Sequence, residues 1–164
     1  MIVVADTSVL SALAEIGHAD LLPRLVGCVV VTETVYQECL HPRGPATTHQ
    51  LLLTATWITR VANPSQIMPE TAFLDPGEAT SITYACQQAG PKMLLVDDAA
   101  ARKFCQSLQL NIAGTVGILY EGAMLGLIDF DSAIGRLKQT PFRISDAVIA
   151  GLRQQLGKKL SGFG

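Results

Sequence analysis

The sequence is short of aromatic residues, 5% of 164 with a single Trp, and short of charge, with 16% charged residues. Lys and Arg number 12 against 14 Asp and Glu, a formal net charge of −2. That balance supplies no global positive field to draw the chain onto nucleic acid or an anionic membrane, so any nucleic-acid contact has to be local. Cys28, Cys39, Cys86 and Cys105 form no Cys-x-x-Cys pair and have no His at zinc spacing. This excludes the common zinc frameworks, and each thiol, set in an apolar stretch, reads as a small buried hydrophobe in a reducing compartment. No apolar run is long enough to cross a membrane. The N-terminus lacks the basic region of a signal peptide and carries Asp6 within its apolar run, so the expectation is a cytoplasmic chain with no membrane partner. Neither a Gly-x-x-x-x-Gly-Lys loop nor a Gly-x-Ser-x-Gly elbow is present. His18, His41 and His49 fall in or beside loops without triad spacing and read as surface residues.

What the chain has in quantity is apolar material, 49% of its residues, enough for one core. We expect a single domain over residues 1–160 and a frayed tail over 161–164. The opening Ile2-Val3-Val4-Ala5 is a β-branched run that stops at Asp6 and passes at once into a helical pattern through Val9, Leu10, Leu13 and Ile16, ended by Gly17. A short helix over Ala19 to Leu25 meets Gly27. Cys28 to Val31 reads as a second strand, with Thr32 capping a helix that carries Val35, Glu38, Cys39 and Leu40. A helix near Thr47 to Thr54 and an edge-like run from Trp57 to Val61 follow. Asp75-Pro76-Gly77-Glu78 opens a helix with Ala79, Ile82, Ala85, Cys86 and Ala89 near one face. Met93 to Val96 is another strand ending on acid, Asp97-Asp98, before a helix with Ala101, Phe104, Cys105 and Leu108 turned inward. Leu110 to Ala113 suits a further strand. Gly114-Thr115 starts a helix towards Leu125 that is apolar nearly all round, and two more helices begin at Asp131 and Ser145, the last amphipathic through Val148, Ile149, Leu152 and Leu156. Strands alternating with helices predict an α/β fold, a mainly parallel sheet with helices on both faces. A homodimer is expected through apolar helical surface, around Leu21 and Leu22 or on the C-terminal helices.

Asp6, Glu38, Glu78 and the pair Asp97-Asp98 each fall at a strand end, at a helix start or on a helix that follows a strand. Gathered at one sheet edge, such carboxylates repel one another unless protons or hard divalent cations neutralise them, and oxygen-only ligands favour Mg²⁺ or Mn²⁺. On that reading they reach a common cation. Each acid also has a structural explanation. Asp75-x-x-Glu78 fits a capping box, Asp98 and Asp6 suit N-caps, and a Glu on a helix is by default a solvated charge. A dehalogenase-type phosphatase needs a second Asp where Ser8 stands, which excludes it. A metal-dependent adhesion site fits Asp6 and Ser8 but meets Leu10 at its last position, and a receiver domain places its acidic pair after the first strand rather than late in the chain.

The ordered set Val4 to Leu10, Val30 to Glu38, Pro76-Gly77-Glu78-Ala79, Leu94 to Arg102 and Gly114-Thr115-Val116-Gly117 resembles the PIN-domain family, which includes the VapC-like toxin ribonucleases. It looks closer to a branch carrying Pro-Gly-Glu-Ala and Asp-Asp-x-x-Ala-Arg than to the familiar toxins. The resemblance implies a Rossmann-like three-layer α/β/α sandwich and a Mg²⁺- or Mn²⁺-dependent site that hydrolyses RNA. It also implies an antitoxin protein as a possible partner. By position, Asp6, Glu38 and Glu78 stand as the first three acids and Asp97 or Asp98 as the fourth. Where familiar PIN toxins have Thr-x-Asp, the register places Val96 at the Thr and Asp98 at the acid. Thr7, Ser8 and Thr115 then orient waters or carboxylates, or simply cap helices. Arg102 and Lys103, within about a turn of the acids, suit contacts to substrate phosphate, although a solvated helix face explains them as well. A non-catalytic domain that keeps the fold to bind protein or RNA is the alternative.

Overall fold

The computed structural model describes residues 1–162. Its sheet has five parallel strands, β1 (Ile2–Ala5), β2 (Val29–Thr32), β3 (Ile58–Val61), β4 (Lys92–Leu95) and β5 (Asn111–Ala113), in the order β3-β2-β1-β4-β5. The register runs Ile2 to Lys92 through Ala5 to Leu95 between β1 and β4, with Val4 opposite Val30 on the other side. β1 is therefore central, and the strand order turns back on its two sides. The crevice at the carboxyl ends of β1 and β4 is where such a sheet leaves room for a ligand. The structure is the three-layer α/β/α sandwich the sequence predicts.

Because successive strand residues face opposite sides, Val3 and Ala5 enter one core and Val4 the other. The larger core takes the buried residues of α1 (Thr7–Glu15), α2 (Leu21–Leu25), α3 (Glu33–Cys39), α7 (Thr115–Met124) and α8 (Phe130–Lys138). Leu52 of α4 (Ala46–Thr54) and Ile149 of α9 (Asp146–Ser161) complete it. The smaller core holds Ile82 and Ala85 of α5 (Pro76–Gln87) with Ala101 and Cys105 of α6 (Ala99–Ser107). Gly17 and Gly27 close α1 and α2 in the left-handed region at φ +76°, a conformation that costs a side-chain-bearing residue energy. Thr32 caps α3 by accepting the Val35 N–H.

Several expectations are corrected. Leu21 and Leu22 are fully buried, and a Cβ at Gly122 of α7 would come within 2.9 Å of Leu21, so this surface is spent inside the fold and offers nothing to a dimer. Leu108 is the C-cap of α6 and is exposed, since the helix ends before it can turn inward. Cys28 and Cys86 are exposed while Cys39 and Cys105 are buried, and Ala89 lies beyond the end of α5 and is exposed. α8 starts at Phe130 under an Asp129 cap, and Asp131 pairs instead with Arg153 at 2.7 Å. Val148 is 51% exposed rather than part of the buried face. Of the tail expected over 161–164, Ser161 is the last residue of α9, and residues 163–164 lie outside the described residues.

Candidate functional site

Each strand that feeds the crevice delivers an acid there. β1 ends into Asp6, which is 5% exposed, and β4 runs through Val96 into Asp97 and Asp98. Glu38 rises from α3 and Glu78 from the first turn of α5. A cavity of about 570 Å³ is lined by all five acids together with Thr7, Ser8, Ser11, Asp75, Phe142 and Arg143. Acids separated by up to 92 positions in sequence thus line one cavity.

A donor fixes every one of these carboxylates. Ser8 Oγ donates to Asp6 at 2.9 Å, and Thr7 Oγ1 donates to Glu38. The backbone N–H of Gly77 donates to the second oxygen of Glu38 at 3.1 Å. The Asp75 N–H donates to Glu78 at 3.2 Å, which is the reach-back half of a capping box. Asp97 receives both the Thr115 N–H at 2.8 Å and the Thr115 hydroxyl at 2.6 Å, tying the end of β4 to the start of α7. Asp98 caps α6 through the Ala101 N–H at 2.9 Å. Thr7, Ser8 and Thr115 therefore each give a hydroxyl to one acid. Behind Glu38, Thr80 donates to the Gly77 carbonyl at 3.0 Å and bonds Thr32 at 2.9 Å, so the start of α5 is locked to the end of β2.

Two glycines make this packing possible. A Cβ at Gly77 would stand 2.4 Å from a Glu38 oxygen, and one at Gly114 would stand 2.7 Å from Asp97 Oδ1 and 2.8 Å from the Arg102 guanidinium. A side chain at either position would push a carboxylate out of place.

Burial governs the electrostatics. Asp6 is pushed up to about 6, chiefly by burial and further by the Glu38 charge, against the pull of the Ser8 hydroxyl. Glu78, 6% exposed, is pushed up to about 7 by burial and then by the charges of Asp6 and Asp98. Burial also raises Asp97, which Thr115 and nearby Arg102 partly offset. Asp6 thus feels the charge of Glu38, and Glu78 feels those of Asp6 and Asp98, whereas Asp97 answers first to burial and then to Thr115. The donor set is all oxygen and hard, which fits Mg²⁺ or Mn²⁺. The reach to a common cation expected of these acids is not met as they are placed: no three of the side chains among the described residues stand close enough to share one ion.

Over residues 2–158 the sequence matches the family model DUF3368, described as a PIN domain. The chain belongs to the PIN-domain family. No curated protein and no solved structure gives a significant match. PIN domains are typically nucleases that use divalent metal ions.

The basic residues of this PIN domain are arranged differently from expectation. Arg102 is committed to the Val96 carbonyl at 3.0 Å and does not line the acidic cavity. Lys103 is exposed and lines neither of the two large cavities. The basic side chain that does line the acidic cavity is Arg143, beside Phe142 in the connection between α8 and α9. Sequence reasoning missed both, because nothing local marks a connection that folds back across the sheet from more than 40 positions beyond the last acid.

Proposed function

We propose that this PIN domain is a Mg²⁺- or Mn²⁺-dependent endoribonuclease and the toxin of a toxin–antitoxin pair. The observation that carries the nuclease reading is the convergence of Asp6, Glu38, Glu78 and Asp98 on one cavity, two of them almost wholly buried and, among the described residues, without a basic partner. Burying carboxylates without a counter-charge is costly, and a cation offsets that cost. Asp6, Glu38, Glu78 and Asp98 are the carboxylates that would have to draw in from their present positions to hold the ion. When bound, it supplies an acidified water and neutralises charge at the leaving oxygen. The chain's own part is to fix the acids: Thr7 and Gly77 hold both oxygens of Glu38, and Ser8 holds one oxygen of Asp6. Asp98 gives one oxygen to its cap and keeps the other without a protein partner among the described residues.

The test is cleavage of a labelled RNA by the purified protein with Mn²⁺. Products carrying a 5′-phosphate, abolished by EDTA and by Asp6→Asn, support the reading, and no cleavage under any divalent ion refutes it. The toxin role rests on the resemblance alone. Growth arrest on expression, relieved by the product of an adjacent gene, is the result it predicts. A homodimer through the C-terminal helices would use Val148 and Leu160, which are exposed, and sedimentation tests it.

A second reading, a non-catalytic binding domain, is favoured by the caps. Glu78, Asp97 and Asp98 each hold a helix start, and that work alone would account for their presence. Retention of RNA binding with no cleavage by wild type would select it.

A further inference from the structure

Beside the acidic cavity lies a second one of about 810 Å³, and the two share Asp97, Phe142 and Arg143. The second is bounded mainly by apolar side chains of β5, α7 and α9, among them Ile112, Val116, Tyr120 and Leu152. Its charged lining is Asp97, Arg102 and Arg143, with Glu121 of α7 as its one further carboxylate among the described residues. Arg102 is there but is spent on the Val96 carbonyl. Arg143 is exposed and, among the described residues, makes no ion pair and no side-chain hydrogen bond, although carboxylates line the same cavity. Phe142 is half-buried against the core, and its N–H donates to Thr140 Oγ1 at 3.2 Å, which steadies the connection.

We propose that this second cavity seats the nucleotides next to the scissile phosphate of a single-stranded RNA. Arg143 pairs with a backbone phosphate, and Phe142 stacks on an unpaired base. The inference rests on the nuclease reading and adds to it the residues that grip substrate. The argument is one of continuity and charge. A polyanion led to a cluster of carboxylates needs a cation that is not already committed, and Arg143 is the basic residue that lines both cavities without a partner. An apolar trough with an aromatic edge and a cation in its lining is the arrangement that binds single strands, since stacking uses the face of a base and the cation its phosphate. A duplex keeps those faces inside its own stack, so the groove selects against paired RNA.

The experiment compares wild type, Arg143→Gln, Arg143→Lys and Phe142→Ala on one RNA oligonucleotide, free and annealed to its complement. KM and kcat are measured with Mn²⁺, and binding is measured by anisotropy against salt in the Asp6→Asn background. The expected result is at least tenfold preference of wild type for the free strand. Arg143→Gln should raise KM about tenfold, leave kcat within about twofold and lower the salt slope by about one. Arg143→Lys should recover part of that loss. Phe142→Ala should weaken binding of the free strand about tenfold. Because Phe142 packs on the core, circular dichroism checks its fold, while exposed Arg143 carries the test without that risk. If wild type cleaves and Arg143→Gln matches it in KM and salt slope, the groove proposal is overturned and the nuclease reading stands. If wild type neither cleaves nor binds RNA, both fail. If the protein sediments as a dimer that Phe142→Ala dissociates, with RNA affinity unchanged, the groove is an interface between copies and the proposal is overturned.

Discussion

Glu38 and Gly77, 39 positions apart, meet so closely that the carboxylate accepts the Gly77 N–H at 3.1 Å while a Cβ on Gly77 would lie 2.4 Å from its other oxygen. The second acid is thus positioned by the absence of a side chain on a different helix. Gly77→Ala should displace Glu38 and lower kcat/KM for RNA by roughly a hundredfold, the scale of a misplaced catalytic group. Its melting temperature should stay close to wild type, because Ala favours a helix over Gly by about 1 kcal/mol and offsets part of the clash. Wild-type cleavage by this variant would show that Glu38 has no part in the reaction.

The adjacent acids Asp97 and Asp98 should separate by substitution. Asp97→Asn leaves one oxygen for two Thr115 donors and should cost about 1–3 kcal/mol of stability. Asp98→Asn should melt like wild type, since Asn caps a helix about as well as Asp, yet lose cleavage by a hundredfold or more. Thermal melts and RNA cleavage measured side by side decide. An Asp98→Asn enzyme as active as wild type would remove Asp98 from the site.

Acidity offers an independent check in the metal-free protein. Asp6 and Glu78 stand at about 6 and about 7, above ordinary values of 3.8 and 4.5. Between the ordinary and raised values the folded state binds more protons than the unfolded chain, so stability declines as pH rises through that window. In EDTA the melting temperature should fall from pH 5 to pH 8, and Asp6→Asn should flatten the decline. A melting temperature that climbs across the same range would contradict the assignment.

Much of this was legible in the letters because the acids sit where short apolar strands end, and a strand end in a parallel sheet is a fixed place. Asp6, Thr32 and Asp98 announce themselves by the change from apolar strand residues to a polar one and then a helical pattern, and Thr32 and Asp98 cap the helix that follows. Leu108 misleads because helical spacing says nothing of where the helix stops. Cys28 misleads because it sits exposed between Gly27 and the start of β2. Phe142 and Arg143 carry no local signal at all. Their position depends on how α8 and α9 pack on α7, a long-range outcome that periodicity does not encode.

If the carboxylates around Asp6 take up a cation, Mn²⁺ stabilises the folded chain. Thermal melting at pH 7.5 of wild type and Asp6→Asn, each with EDTA and with excess Mn²⁺, reads that out. At a concentration near a hundred times the dissociation constant, an ion that binds the folded state adds about 2.7 kcal/mol, which for a chain of this size is roughly 5–10 °C. Wild type should gain that shift. Asp6→Asn should gain almost none, and without metal it should melt at or above wild type, since one repelling charge is gone. A wild type whose melting temperature Mn²⁺ leaves unchanged would contradict the metal site, and with it the nuclease.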